Sequence, residues 1–141
     1  MAWAAAEAAR KLPFKFMLCA RAENFLHGNP DLDDTIRRLQ AYERAGADVL
    51  FAPGLPDLDS VRAVCAAVNK PVNVVGSMQN GALSVAELEA AGVKRISLAT
   101  AFYRAAMTGL HEAAREVRER GSFGFAARVM RSDEVNSFMA K

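Results

Sequence analysis

Cysteine is scarce in this 141-residue sequence, with only Cys19 and Cys65, and their positions show no metal-type spacing. That excludes a disulfide framework or a cysteine-ligated zinc site and fits small buried residues in a reducing cytoplasm. No apolar run approaches the length of a membrane span. Charge of one sign is not gathered anywhere either. The 18 basic and 16 acidic residues are scattered, leaving a net charge of +2 and no patch that would suit nucleic acid or an anionic membrane. The patterns G-x-x-x-x-G-K-[ST] and G-x-G-x-x-G are missing, and no serine sits in a G-x-S-x-G elbow, which removes nucleotide binding and serine-hydrolase chemistry. Residues 1–9 are alanine-rich but include Glu7 and lack a basic leader, so they read as a helix rather than a signal peptide.

What is present is ordinary globular composition, 52% hydrophobic and 24% charged, enough for one domain over residues 1–141 with its own core. Helix formers fill residues 2–11 until Leu12-Pro13 stops them. Residues 15–20 (KFMLCA) then form a nearly continuous apolar run, the pattern of a strand buried on both faces. Asp31, Asp33 and Asp34 load negative charge onto the start of a helix that turns Leu32, Ile36, Leu39 and Ala45 inward and ends at Gly46. The pattern then recurs, with strands at 48–52, 71–75 and 95–99 and helices at 57–68, 85–91 and 102–120. Ser84 and Glu87 have the spacing of a capping box. The exits ERAGADVLFA and EAAGVKRISLA are nearly identical, each with a glycine between helix and strand.

Four consecutive strand-helix units specify an α/β fold with a parallel sheet and right-handed crossovers. An eight-unit barrel needs about 250 residues. This chain therefore supplies an open sheet, or about half of a (β/α)8 TIM barrel whose edge strands, 15–20 and 95–99, lie unpaired in an isolated monomer and favour self-association.

In such folds the loops after the strand ends hold ligands, which directs attention to residues 21–29, 53–56, 76–82 and 100–104. Arg21 and Glu23 stand out. A guanidinium there suits a carboxylate or phosphate, and a carboxylate two residues on can hold the fork; equally, the pair can simply close the rim of the sheet. His27 has the alternatives of surface residue and general base. Asn73, inside the third strand, must be hydrogen-bonded if buried, whether by protein or by ligand. The acids at 31, 33 and 34 are explained as helix-dipole partners, and no carboxylate cluster suits Mg²⁺. The segment 132–141 is amphipathic through Val135, Phe138 and Met139.

The motifs ARAENF, DLDDTIRRLQAYERAGADVLFAPG, KPVN and VKRISLATAFYRAAMTGL, in that order, resemble the C-terminal half of the isocitrate lyase/phosphoenolpyruvate mutase superfamily, carboxyvinyl-carboxyphosphonate phosphorylmutase-like proteins in particular. The resemblance covers residues 1–124. It implies half of an eight-stranded barrel, homo-oligomers with a C-terminal helix exchanged between subunits (here the extension 122–141), and cleavage or formation of C–C or P–C bonds beside a carboxylate through a Mg²⁺-stabilised enolate. By the same resemblance Arg21 clamps the carboxylate or phosphonate of a small substrate, with Glu23 beside it and Asn73 as a further substrate-binding candidate. The metal ligands and the loop of the lyase branch's catalytic cysteine belong to the half that precedes this segment. Pro53 stands where lyase members carry a glutamate, and Val75 where they carry an asparagine, which favours a branch acting on another 2-oxo or substituted malate-type acid. The alternative is a non-catalytic half-barrel that self-associates.

Overall fold

The computed structural model describes residues 2–76 and 83–140, and the chain divides into two compact units, Met1–Ala99 and Thr100–Lys141. In the first unit β1 (Cys19–Arg21), β2 (Val49–Phe51), β3 (Val72–Val75) and β4 (Arg95–Ser97) form one parallel sheet in sequential order. The helices of this unit are α1 (Ala2–Arg10), α2 (Leu32–Arg44), α3 (Leu58–Ala67) and α4 (Val85–Ala90). This is the expected α/β repeat, with each strand beside its successor as in a barrel wall.

The helix starts follow from local chemistry. Asp31 accepts from the Asp34 amide and Asp57 from the Ser60 amide, each at 2.8 Å, and Ser84 and Glu87 complete the capping box. At the ends of α2 and α4, Gly46 and Gly92 take φ of 94° and 97°, a region that costs a side-chain-bearing residue energy and glycine almost none. Alternate strand residues then divide the sheet. Ala20, Leu50, Ala52, Val72, Val74 and Ile96 pack with Leu39, Val61, Val64 and Leu88 of the helices in a single core cluster. Complete burial of a side chain such as Leu39 or Leu50 contributes about 1.5–3 kcal/mol.

The first strand is shorter and later than its apolar run suggests. Residues 15–18 are not strand, and Phe16 and Met17 are exposed. The register explains this: Cys19 lies opposite Val49, the first residue of β2, and Leu18 before it is tied instead to the exit of α2, its carbonyl accepting from the Asp48 and Val49 amides and its own amide donating to the Asp48 carboxylate. At the far edge β4 ends at Ser97, short of the expected 99, and Leu98 is partly exposed. Burial on both faces holds throughout only for β2. The expected loop at 76–82 falls, from 77 onward, outside the described residues.

The second unit contains α5 (Ala101–Arg120), a 3₁₀ turn (Gly124–Arg128) and α6 (Ser132–Ser137). Glu116 ties the turn to the helix by accepting hydrogen bonds from the Ser122 hydroxyl (2.8 Å) and the amides of Gly124 (2.5 Å) and Phe125 (3.1 Å). Those donors hold its carboxyl below the usual range. Val135, Phe138 and Met139 are all exposed.

Candidate active site

The second face of the sheet carries the other alternate residues. Register pairs Arg21 with Phe51, Phe51 with Asn73 and Asn73 with Arg95, so one residue from each strand lies in a single row. Neighbouring residues in a row share a face of the pleat, and Cys19, Val49, Val75 and Ser97, two positions away along their strands, share it too. Val49 and Phe51 are buried yet stand outside the helix-facing core cluster, as this alternation requires. The row therefore has an apolar and amide centre and an arginine at each end.

Arg21 is the last residue of β1, not the first of the loop. Its Nη2 lies 2.5 Å from Glu23 Oε1, and its guanidinium carbon sits 4.7 Å from the centroid of the Phe51 ring. A carboxylate beside the fork and a ring beneath it limit the orientations of a side chain that still has 47% of its surface exposed. His27 Nε2 lies 3.5 Å from the other Glu23 oxygen, but its side chain is 75% exposed.

The segment that carries Glu23 is fixed from below. A 3₁₀ turn, Asn24–His27, follows it, and the buried Asn24 donates through Nδ2 to the carbonyls of Asn29 (3.1 Å) and Asp31 (3.0 Å) and to Thr35 Oγ1 (2.6 Å). Thr35, fully buried in α2, donates in turn to the Asp31 carbonyl at 2.8 Å. Across the way, Gly54 has φ of 88°, and a Cβ there would stand 3.1 Å from Leu26 Cδ2 and 3.2 Å from Phe25 Cβ, so the turn after β2 leaves room for this segment.

Asn73 is 2% exposed, and its Oδ1 accepts from the Ser97 hydroxyl at 3.0 Å, a bridge between β3 and β4. The sequence marked Arg21, Glu23 and Asn73. The structure brings Arg21 and Glu23 into contact and sets Asn73 two strands from Arg21 in the same row. Phe51, Arg95, Ser97 and Asn24 were not singled out. Arg95 had a signal in the sequence, a charge at the head of an apolar strand, whereas the Phe51 stack depends on register that no local pattern reveals. Burial pushes the Cys19 thiol above its usual pKa, while the positive charges of Arg95 and then Arg21 pull it back.

Among the described residues no group of three or more His, Cys, Asp or Glu side chains is placed to hold a metal ion, and no helix is long and apolar enough to cross a membrane.

Residues 2–118 match the family model of phosphoenolpyruvate phosphomutase. The chain belongs to this family. Within the wider phosphoenolpyruvate mutase/isocitrate lyase superfamily, it is 34% identical over 116 residues to an oxaloacetate decarboxylase of Bradyrhizobium diazoefficiens, a match covering 75% of this chain and 40% of that protein. A protein of Burkholderia cenocepacia J2315, provisionally described as a lyase/mutase, is 51% identical and superposes with a TM-score of 0.92 over 99% of this chain and 50% of its own. The complex of phosphonopyruvate hydrolase with oxalate and Mg²⁺ shares the fold at 23% identity and a TM-score of 0.74, over 95% of this chain and 49% of that one. The phosphomutase-family segment seen here therefore spans about half or less of each of these relatives.

Proposed function

We propose that this chain forms one wall of the active site of a lyase or phosphonomutase acting on a small 2-oxo or substituted malate-type acid, with Arg21 binding the substrate's carboxylate or phosphonate. The observation that carries this reading is Arg21 itself, at the C-terminal end of a parallel strand, braced by Glu23 and stacked on Phe51. A fixed guanidinium aimed at an anion stabilises charge developing on it more strongly in a water-poor site than in water. The family resemblance supplies the reaction type, C–C or P–C bond chemistry beside a carboxylate through an enolate.

Magnesium is implied by the same resemblance and accompanies oxalate in the phosphonopyruvate hydrolase complex. The described residues do not fit it, because the acids are dispersed and Glu23 is engaged by Arg21 and His27. The part assigned to this wall is the binding and orientation of the anion.

Calorimetry with oxalate, with and without Mg²⁺, tests the reading alongside the solution mass from light scattering. Arg21→Ala should weaken oxalate binding without unfolding the chain; lost stability with unchanged binding would remove Arg21 from the site. The exposure of Phe14, Phe16 and Met17 just ahead of the edge strand β1 favours a second reading, a non-catalytic half-barrel that self-associates. A stable oligomer indifferent to both oxalate and Mg²⁺ is its expected signature.

A further inference from the structure

We infer that Asn24 is a positioning residue for Arg21: its amide ties the turn after β1 to the start of α2, and that tie holds Glu23 where its carboxylate meets the Arg21 guanidinium. The inference rests on the reading of Arg21 as a substrate clamp.

Glu23 lies between two anchored neighbours. On one side Ala22, 1% exposed, donates its amide to the Phe51 carbonyl at 2.9 Å, carrying the pairing with β2 one step past Arg21. On the other side Asn24 is buried, with its Nδ2 in hydrogen-bond reach of the carbonyls of Asn29 and Asp31 and of the Thr35 hydroxyl. The Asn24 carbonyl also accepts from the Asn29 amide at 2.9 Å, so the connection to α2 closes on this residue through side chain and backbone alike. Asp31 caps α2 and Thr35 is fully buried within it, which makes the anchor a helix packed into the core through Leu39. The Glu23 side chain, by contrast, is 39% exposed and meets Arg21 and His27. An ion pair between two such side chains contributes little unless their positions are already ordered. The buried amide supplies that order from behind.

The donors of Asn24 are the property that matters. Its Oδ1 is buried and has no partner among the described residues, so the fold uses the NH2 group and leaves the oxygen idle. An aspartate of the same size would set an oxygen against two carbonyls and cannot take its place.

The test reads Arg21 directly. In the ¹⁵N-labelled full chain the Arg21 Nε–H gives a nuclear magnetic resonance signal that is assigned by its loss in Arg21→Gln. Oxalate affinity with Mg²⁺ present is measured by calorimetry on the same variants, with thermal unfolding of each. A long side chain that must be ordered on binding lowers affinity about two- to tenfold. The expected result is that Asn24→Ala and Asn24→Asp shift or broaden the Arg21 signal and weaken oxalate binding by that factor. Thr35→Val, which removes one of the three acceptors, should do so to a smaller extent, and Thr35→Ser, which keeps the hydroxyl, should do neither. Val64→Ala opens a cavity in the core at α3 and should lower stability while leaving both readouts alone.

An Arg21 signal and an oxalate affinity that ignore Asn24→Ala and Thr35→Val, with oxalate binding still weakened by Arg21→Gln, would overturn the role of Asn24 and leave the reading of Arg21 standing. Equal changes in Val64→Ala would overturn it too, because any loosening of the fold would then move Arg21. Oxalate binding independent of Arg21, or none by the unmodified chain, would overturn both. Should the Asn24 variants fail to fold, Thr35→Val and Thr35→Ser decide by the same two readouts, since Asn24 keeps its carbonyl partners in each.

Discussion

The guanidinium carbon of Arg21 lies 4.7 Å from the ring centroid of Phe51, its register partner on β2. The ring does two things at once, filling the buried centre of the row and giving the arginine a flat surface to rest on. Replacing it by leucine keeps much of the apolar volume and removes the π face. Such a contact at a half-exposed arginine is worth about 0.5–1 kcal/mol, a factor of roughly two to five in affinity. Phe51→Leu should therefore weaken oxalate binding by that factor, with a stability loss of roughly 1 kcal/mol. A lower melting temperature with unchanged oxalate affinity would show that the ring packs the sheet and does not orient Arg21.

At the opposite end of β1 the sheet is pinned by Asp48. Its carboxylate accepts from both terminal nitrogens of Arg10, at 3.1 and 2.8 Å, and from the amide of Leu18 at 2.8 Å. The Arg10 hydrogen bond first, and the Leu18 amide after it, hold the Asp48 carboxyl below the usual carboxylate range. The pKa is depressed in the folded chain, so the stabilisation is present above the unfolded value of about 4 and is lost as pH falls through the folded one. Asp48→Asn should cost about 1 kcal/mol near neutrality, since Arg10 is half exposed and its contribution is screened. The acid limb of urea-unfolding stability below about pH 4 should become shallower. It should not vanish, because Asp34, Asp57 and Glu87 are depressed as well. An acid limb identical to that of the unmodified chain would mean that the Arg10–Asp48 pair does not form in solution.

Much of this architecture was legible in the sequence because the signals were local. Ser84 announced a helix start through a side chain that reaches only three residues onward, the acids at 31, 33 and 34 marked another through their charge, and Gly46 and Gly92 marked the exits; that Asp31 and Asp57 cap their helices by the same three-residue reach is seen only in the structure. The limits of β1 were not legible. KFMLCA has the hydrophobicity of a buried strand, but where pairing begins depends on where β2 begins, thirty residues later. The candidate site divides in the same way. Arg21 and Glu23 are close in sequence and could be paired by inspection, whereas the row from Arg21 to Arg95 exists only through three successive registers. Asn73 was visible as a polar residue in an apolar strand. Its partner Ser97, 24 residues away, was not.

That partnership decides what Asn73 does. The Ser97 hydroxyl donates to Asn73 Oδ1 at 3.0 Å from the facing strand, and the asparagine is almost wholly buried. Removing the donor by Ser97→Ala strands a buried carbonyl oxygen, a change that costs about 1–3 kcal/mol, whereas removing both partners leaves no orphan behind. The double variant Asn73→Ala with Ser97→Ala should accordingly lose less stability than the sum of the two single variants, by about 1 kcal/mol in urea unfolding. Additive losses would show that the bond contributes nothing to the fold. The same variants bear on binding: with its oxygen held by Ser97, the Asn73 amide is fixed in the row that Arg21 ends, so if it is a substrate-binding group Asn73→Ala should weaken oxalate binding beyond its effect on stability. If oxalate affinity is unchanged while stability falls, Asn73 is a tie between β3 and β4 and takes no part in holding the ligand.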